Sequence, residues 1–310
     1  MNNIQHLKYA VEVEKTGSIS KAAKNLFMGQ PHLSKSIKEL EDSLGITVFN
    51  RTPQGVVPTI KGAAFLRYAK SILAQIEEME SLYKQTDDTV HRFDISVPRA
   101  SYISYAFSEF AKTLESEKEI DLNYRETNSM RAIRNVVDNI NNIAVIRYQE
   151  IYEKYFMGAL EERDLEYLPI WEFSYLVLMS DKHPLAAHGI IKYTDLRKYT
   201  EIVHGDITIP ALPLSEARQI EKADNRKKKI VVYERGSQLE LLSRLSSTYM
   251  WVSPMPRDVL DCFSLVQKEC SMSKNLFKDI LIYRKGYHFT AQDSQFIEVL
   301  KNTVNIVSSM

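Results

Sequence analysis

Two breaks centred on glycine cut the first 45 residues into three short helices, and this spacing constrains the chain more than anything else in it. Ile4, Leu7, Ala10 and Val11 recur at helical intervals until Thr16-Gly17-Ser18 stops one helix and caps the next with Ser18. Ile19, Ala22, Ala23 and Leu26 make a second helix whose alanines allow close approach. Phe27-Met28-Gly29 then turns the chain, and Gln30-Pro31 opens a third helix, where proline is tolerated because a first-turn amide has no intrahelical partner. On that third helix Leu33, Ile37, Leu40 and Leu44 form a single apolar stripe, which leaves Gln30, His32, Ser34, Lys35, Ser36 and Lys38 outward or nearly so. Helix, tight turn and second helix with a polar, cationic start is the arrangement that enters a DNA major groove. Gln can pair with adenine there, and Lys can reach guanine or phosphate.

Charge agrees. The whole chain is neutral, yet residues 1–62 carry eight Lys and Arg against five acids, so the cationic surplus sits where a phosphate backbone needs it. Beyond Gly45, the run Ile46-Thr47-Val48-Phe49 and the run Val56-Val57-Pro58, with Arg51-Thr52-Pro53-Gln54-Gly55 between them, predict a small hairpin that places Arg51 beside the DNA.

The motif Gly17-Ser18-Ile19, Ala22-Ala23, Leu26, Gln30-Pro31, Leu33-Ser34, Ile37, Leu40-Glu41, Leu44-Gly45, Phe49, Arg51, Thr59 and Gly62 resembles, in order and spacing, the N-terminal domain of LysR-type transcriptional regulators. The resemblance implies a sequence-specific DNA-binding regulator with DNA contacts at Ser18, Gln30, Pro31, His32, Ser34, Lys35, Lys38 and Arg51. One departure is Gly29, where relatives carry Ser or Thr and gain a hydroxyl.

From Thr59 onward, one long helix to about residue 86 is expected. Phe65, Ala69, Ile72, Ile76, Met79 and Tyr83 alternate in steps of four and three, the seam of a coiled coil, so this helix is expected to dimerise the chain. Two recognition helices about a two-fold axis then require an interrupted inverted repeat in double-stranded DNA. Such a stripe could also pack on its own domain. The family resemblance further implies a homotetramer built as a dimer of dimers, and RNA polymerase is a further expected partner.

After Asp87-Asp88-Thr89 short apolar runs alternate with amphipathic segments, which predicts an α/β domain. Strands are expected at 93–97, 120–125, 143–146, 173–179, 201–204, 230–233, 249–253, 265–267 and 280–283, and helices at 101–115, 129–140, 193–199, 236–247 and 290–307. The portion resembles the LysR-type effector domain, with two periplasmic-binding-protein-like lobes. The expected layout is a winged helix-turn-helix at 1–58, a linker helix at 59–88, and an effector domain at 89–310, with lobe I at 89–165 and 268–310 and lobe II at 166–267.

Ligands in such sheets bind beyond the carboxyl ends of strands. That rule selects Arg99, Ser101, Thr127, Asn128, Arg147 and His204 as candidate contacts to a small-molecule effector, a co-inducer or co-repressor. Arg99 and Arg147 together suit an anion. Each has a plainer reading: Ser101 as a helix cap, Thr127 and Asn128 as a turn, Arg147 paired with Glu150.

No nucleophile elbow, zinc-protease motif or phosphate-binding glycine loop occurs, so catalysis is not expected, and neither is a metal or other cofactor. The absence of a leader-like start and of long apolar runs predicts a cytoplasmic protein off the membrane. Arg226-Lys227-Lys228-Lys229 reads as a solvated loop. Two alternatives remain: oxidant sensing through Cys262 and Cys270, and DNA binding without an effector.

Overall fold

The computed structural model describes residues 4–52, 55–83, 90–117, 119–205, 228–271 and 276–309. The chain divides into two compact units, the first being essentially Met1–Asp88 and the second running over Thr89–Val136 and Ile140–Met310.

In the first unit, α1 (Ile4–Thr16), α2 (Ile19–Asn25) and α3 (Gln30–Leu44) enclose a core of Ala10, Val13, Ile19, Ala22, Ala23, Leu33, Ile37 and Leu40. The expected stripes face inward except at Ile4, which is 46% exposed, and each buried Leu, Ile or Val side chain contributes about 1.5–3 kcal/mol. Ser36 departs from expectation. It is buried, because a residue three beyond Leu33 and four before Leu40 shares their face.

The hairpin starts later than the apolar run suggested: β1 (Phe49–Thr52) pairs antiparallel with β2 (Gly55–Pro58). Ile46, Thr47 and Val48 are used to join α3 to the wing. Both Val48 and Phe49 donate their backbone N–H to one carboxylate oxygen of Glu41, at 2.6 and 3.0 Å. The other strand is held by Val56, whose N–H reaches the Gly17 carbonyl at 2.8 Å. A side chain at Gly55 would put its Cβ 2.6 Å from that same carbonyl oxygen, so only glycine lets the wing dock there. Pro53 and Gln54, the expected turn, lie outside the described residues.

Thr59 caps α4 (Ile60–Tyr83) as expected, accepting from the Gly62 N–H at 2.8 Å and donating to the Thr47 carbonyl at 2.7 Å. Gly62 lies hard against the wing: a Cβ there would fall 1.9 Å from the Val48 carbonyl oxygen. At about 1.5 Å per residue the helix is about 36 Å long. The expected residues 84–86 lie outside the described ones, as does the side chain of Tyr83. Among the described residues no helix is long and apolar enough to cross a membrane.

Among the described residues the second unit holds two five-stranded sheets. The first runs in the order β4 (Glu119–Glu126), β3 (Val90–Val97), β5 (Ile143–Gln149), β12 (Leu276–Arg284), β6 (Leu165–Ser174). The second runs β11 (Leu265–Lys268), β7 (Leu176–Ser180), β10 (Thr248–Val252), β8 (Thr200–His204), β9 (Lys229–Val232). Helices α5 (Ser101–Lys112) and the final helix Ala291–Ser308 cover the first sheet over an aromatic cluster in which Phe93 stands 4.9 Å from Phe110 and 5.0 Å from Phe296. The final helix begins with the expected box, in which Thr290 caps the Asp293 N–H and Asp293 returns to Thr290.

The expected single strand at 173–179 is two strands, broken at Tyr175 where the chain passes from one sheet to the other. The first sheet consequently extends to Ser174, past the expected boundary at 166, and β11 carries the second sheet to Lys268, one residue past the expected end of lobe II at 267. A largely apolar run from Phe173 to Met179 hides such a break. The helices Glu153–Glu161 and Arg257–Cys262 were not foreseen. Arg226 and Lys227 lie outside the described residues.

Phe27 sits in the α2–α3 turn with a left-handed backbone (φ +52) and is 98% exposed. A left-handed L-residue costs about 1–2 kcal/mol and asparagine tolerates that region better, so Phe27→Asn is expected to stabilise the first unit by about 1 kcal/mol, read as a raised thermal midpoint.

Candidate DNA-binding face and effector cleft

The start of α3 is uncluttered. Gly29 is its N-cap and makes no side-chain cap bond, as the missing hydroxyl foretold. Gln30, Pro31, His32, Lys35 and Lys38 are exposed and Ser34 is half-buried. Arg51, selected from the wing, and Ser34, selected from the helix, are brought together: an Arg51 guanidinium nitrogen donates to Ser34 Oγ at 3.0 Å. Lys35 lies 3.7 Å from Glu39 one turn along, an exposed pair of little energetic weight. Ser18 caps α2, its hydroxyl accepting from the Lys21 N–H at 3.4 Å, so it holds the helix in front of α3. Helix positive end, cationic side chains and wing thus share one face around the Gln30–Lys38 stretch.

The predicted seam on α4 is only partly available. Ala69 is 1% exposed and Phe65 packs on the core of its own unit, so these two serve the plainer alternative. Beyond them Ile72 is 44% and Met79 53% exposed, Ile76 is half-buried, and Tyr68, which was not selected, is 66% exposed. The open line is therefore Tyr68, Ile72, Ile76 and Met79. It is displaced because α1 covers the first turns of α4, where Lys70 also pairs with Glu14 at 2.9 Å.

In the second unit a cavity of about 690 Å³ lies between the lobes, and all six residues selected from strand ends line it: Arg99, Ser101, Thr127, Asn128, Arg147 and His204. Their chemistry differs from expectation in two places. Arg147 does not pair with Glu150; it forms a bidentate pair with Asp279 on β12, at 2.7 and 2.6 Å, and Asp279 also accepts from the Tyr102 hydroxyl. The guanidinium lies over the rings of Phe173 (4.7 Å) and Tyr175 (5.8 Å). Burial and the Asp279 carboxylate push the Tyr102 phenol well above its ordinary range; burial pulls the Arg147 guanidinium down, but Asp279 more than offsets that and raises it. Arg147 is thus neutralised inside the fold, which removes half of the case for an anionic effector.

Ser101 is not the cap of α5, since Ala100 occupies that position. Asn128 does act locally, its Oδ1 accepting from the Arg131 N–H at 2.9 Å. His204 Nδ1 lies 3.4 Å from Gln238 Nε2. Burial and the neighbouring Glu153 push the Tyr148 phenol up to about 12, so its hydroxyl stays neutral.

Sequence reasoning missed Arg235, Gln238, Tyr175, Trp251 and Phe277, which also line the cavity. Arg235 follows the carboxyl end of β9 and would have been found by the rule that found His204. Tyr175 and Phe277 stack at 4.0 Å where two of the chain segments leave the first sheet, a contact between residues far apart in sequence. Cys262 is exposed whereas Cys270 is buried in the second lobe. Among the described residues no group of three metal-ligating side chains occurs.

Together these features define a winged helix-turn-helix protein with a two-lobed α/β unit enclosing a cleft. The profile described as "Bacterial regulatory helix-turn-helix protein, lysR family" matches residues 4–63. An uncharacterised HTH-type transcriptional regulator of Methanocaldococcus jannaschii is 26% identical over 63% of this chain and 62% of its own length. The regulator AlsR of Bacillus subtilis is 22% identical over 92% of this chain and 91% of its own. The chain spans under two thirds of the archaeal relative it matches. Among solved structures, full-length OxyR from Pseudomonas aeruginosa superposes with a TM-score of 0.64 (16% identity, 99% of this chain, 95% of that one). Full-length CbnR in complex with its target DNA gives 0.56 (16% identity, 97% and 99%). Residues 4–63 thus carry a lysR-family helix-turn-helix, and the chain as a whole shares the fold of OxyR and CbnR.

Removing Asp279 leaves the buried Arg147 charge uncompensated. Asp279→Ala is expected to cost about 3–5 kcal/mol in urea unfolding of the second unit, a loss of stability rather than of effector contact.

Proposed function

We propose that this protein is a sequence-specific DNA-binding transcriptional regulator whose grip on DNA is modulated by a small molecule held between the two lobes. The observation that carries the DNA-binding half is the Arg51–Ser34 contact, which joins wing and recognition helix into one polar surface. The effector half rests on the cavity of about 690 Å³, a size suited to a small metabolite, into which the strand-end residues of both lobes converge. On this reading Gln30 and His32 meet base edges, Lys35, Lys38 and Arg51 meet phosphates or the minor groove, and Pro31 and Ser18 set the helix. It acts by binding rather than catalysis, needs no cofactor beyond its effector, and works beside cytoplasmic DNA, with RNA polymerase as the machine it influences. Oxidant sensing has less support, because Cys270 lies in a core.

The test is retention of the gene's own upstream DNA fragment in gel-shift titrations across salt. Arg51→Ala is expected to weaken binding and to reduce the salt slope by about one. Gln30→Ala is expected to cost about 1–3 kcal/mol of discrimination at one base pair. No retention of the fragment by the parent protein at low salt would refute the reading.

Pairing along α4 supplies the second recognition helix. The open line of Tyr68, Ile72, Ile76 and Met79 supports it, and a homodimer, doubled to a tetramer, would read an interrupted inverted repeat. The double variant Ile72→Asp, Met79→Asp is expected to raise the dimer dissociation constant at least about tenfold, since each side chain contributes about 1.5–3 kcal/mol when buried. Sedimentation equilibrium measures it; an unchanged constant would place the pairing elsewhere.

A further inference from the structure

Helix α5 of the first lobe turns one face toward the second lobe, and two of its residues one turn apart, Ser101 and Tyr105, make bonds across the cleft. Ser101 Oγ accepts from Arg235 Nη2 at 2.5 Å, and the other terminal nitrogen of Arg235 donates to Glu126 Oε1 at the end of β4. The Tyr105 hydroxyl donates to Asp258 at 3.3 Å. Arg235 opens the helix Arg235–Arg244 and Asp258 belongs to the helix Arg257–Cys262, both carried by the second lobe. Arg235 and Glu126 are each only about one fifth exposed, which shields their charges from screening more than an open surface pair.

We propose that Arg235, Glu126, Ser101 and Tyr105 with Asp258 form a clasp between the lobes that holds the cleft closed before any effector arrives. This rests on reading the cleft as the effector site. Arg235 and Ser101 line the cavity, so the clasp forms part of its wall. A bond made only when the lobes are together raises the population of the closed form, and an effector that binds the closed form then pays less of the conformational cost. Conversely, an effector group that competes for Arg235 opens the clasp. In both cases the clasp sets the resting position of the regulator, and Arg235 acts as a positioning residue.

The protein carries two tryptophans, and one of them, Trp251, lines the cavity. In full-length protein with Trp171→Phe, acrylamide quenching of Trp251 fluorescence reports opening of the cleft with no effector added. Glu126→Gln and Arg235→Gln are each expected to raise the quenching constant about twofold through the shifted population. The exchanged pair, Glu126→Arg with Arg235→Glu, is expected to return it toward the parent value. Should the charge variants fail to fold by circular dichroism, Ser101→Ala and Tyr105→Phe remove one neutral partner each and are expected to raise the constant by a smaller factor. Quenching equal to the parent in the folded variants, or an exchanged pair as open as the single variants, would overturn the clasp. Because no ligand enters the measurement, that outcome would leave the effector reading standing, and a failed ligand screen would leave the clasp standing.

Discussion

The buried pair of Arg147 and Asp279 is the contact on which the second unit turns. It joins β5 to β12, draws in Tyr102 from α5, and sets its guanidinium over the aromatic rings of Phe173 and Tyr175. An ion pair taken out of water is stable only when its geometry is good and its remaining hydrogen-bonding groups are met, and here two parallel N–H donors and a phenol meet the carboxylate. The residues it gathers come from helix, central strand and the returning strand. Those are the elements that must keep their places if the cleft is to have a fixed floor.

Much of the first unit was legible because its determinants are local. Gly17, Gly29 and Gly45 mark helix ends, the 33–37–40 stripe faces the core, and Thr59 caps the next helix, all within a few residues of one another. The cleft was legible for a different reason: the carboxyl ends of strands are chemically alike in every open α/β sheet, so naming the strands named the wall. What stayed hidden depends on partners distant in sequence. Arg147 finds Asp279 132 residues away and Arg235 finds Glu126 109 residues away, and nothing near Arg147 distinguishes that outcome from a bond to Glu150.

The seam on α4 shows how period and partner differ. A stripe in steps of four and three says that a helix has a buried side and leaves open what buries it. For Phe65 and Ala69 the cover is α1 of the same unit; farther along, where that cover ends, Ile72 and Met79 stand open. One periodic pattern therefore serves two neighbours in succession. The break at Tyr175 is the strand counterpart, where one apolar run belongs to two sheets.

Glu41 carries a consequence for how such a molecule can be controlled. One carboxylate on the reading helix grips two successive amides at the root of the wing, while Gly62 seats the following helix against Val48 without space for a methyl group. Helix, wing and the base of the linker are thereby cast as a single solid piece. Under the proposed function, a head of that kind would change its fit on a duplex by moving bodily, through the distance and tilt between paired heads.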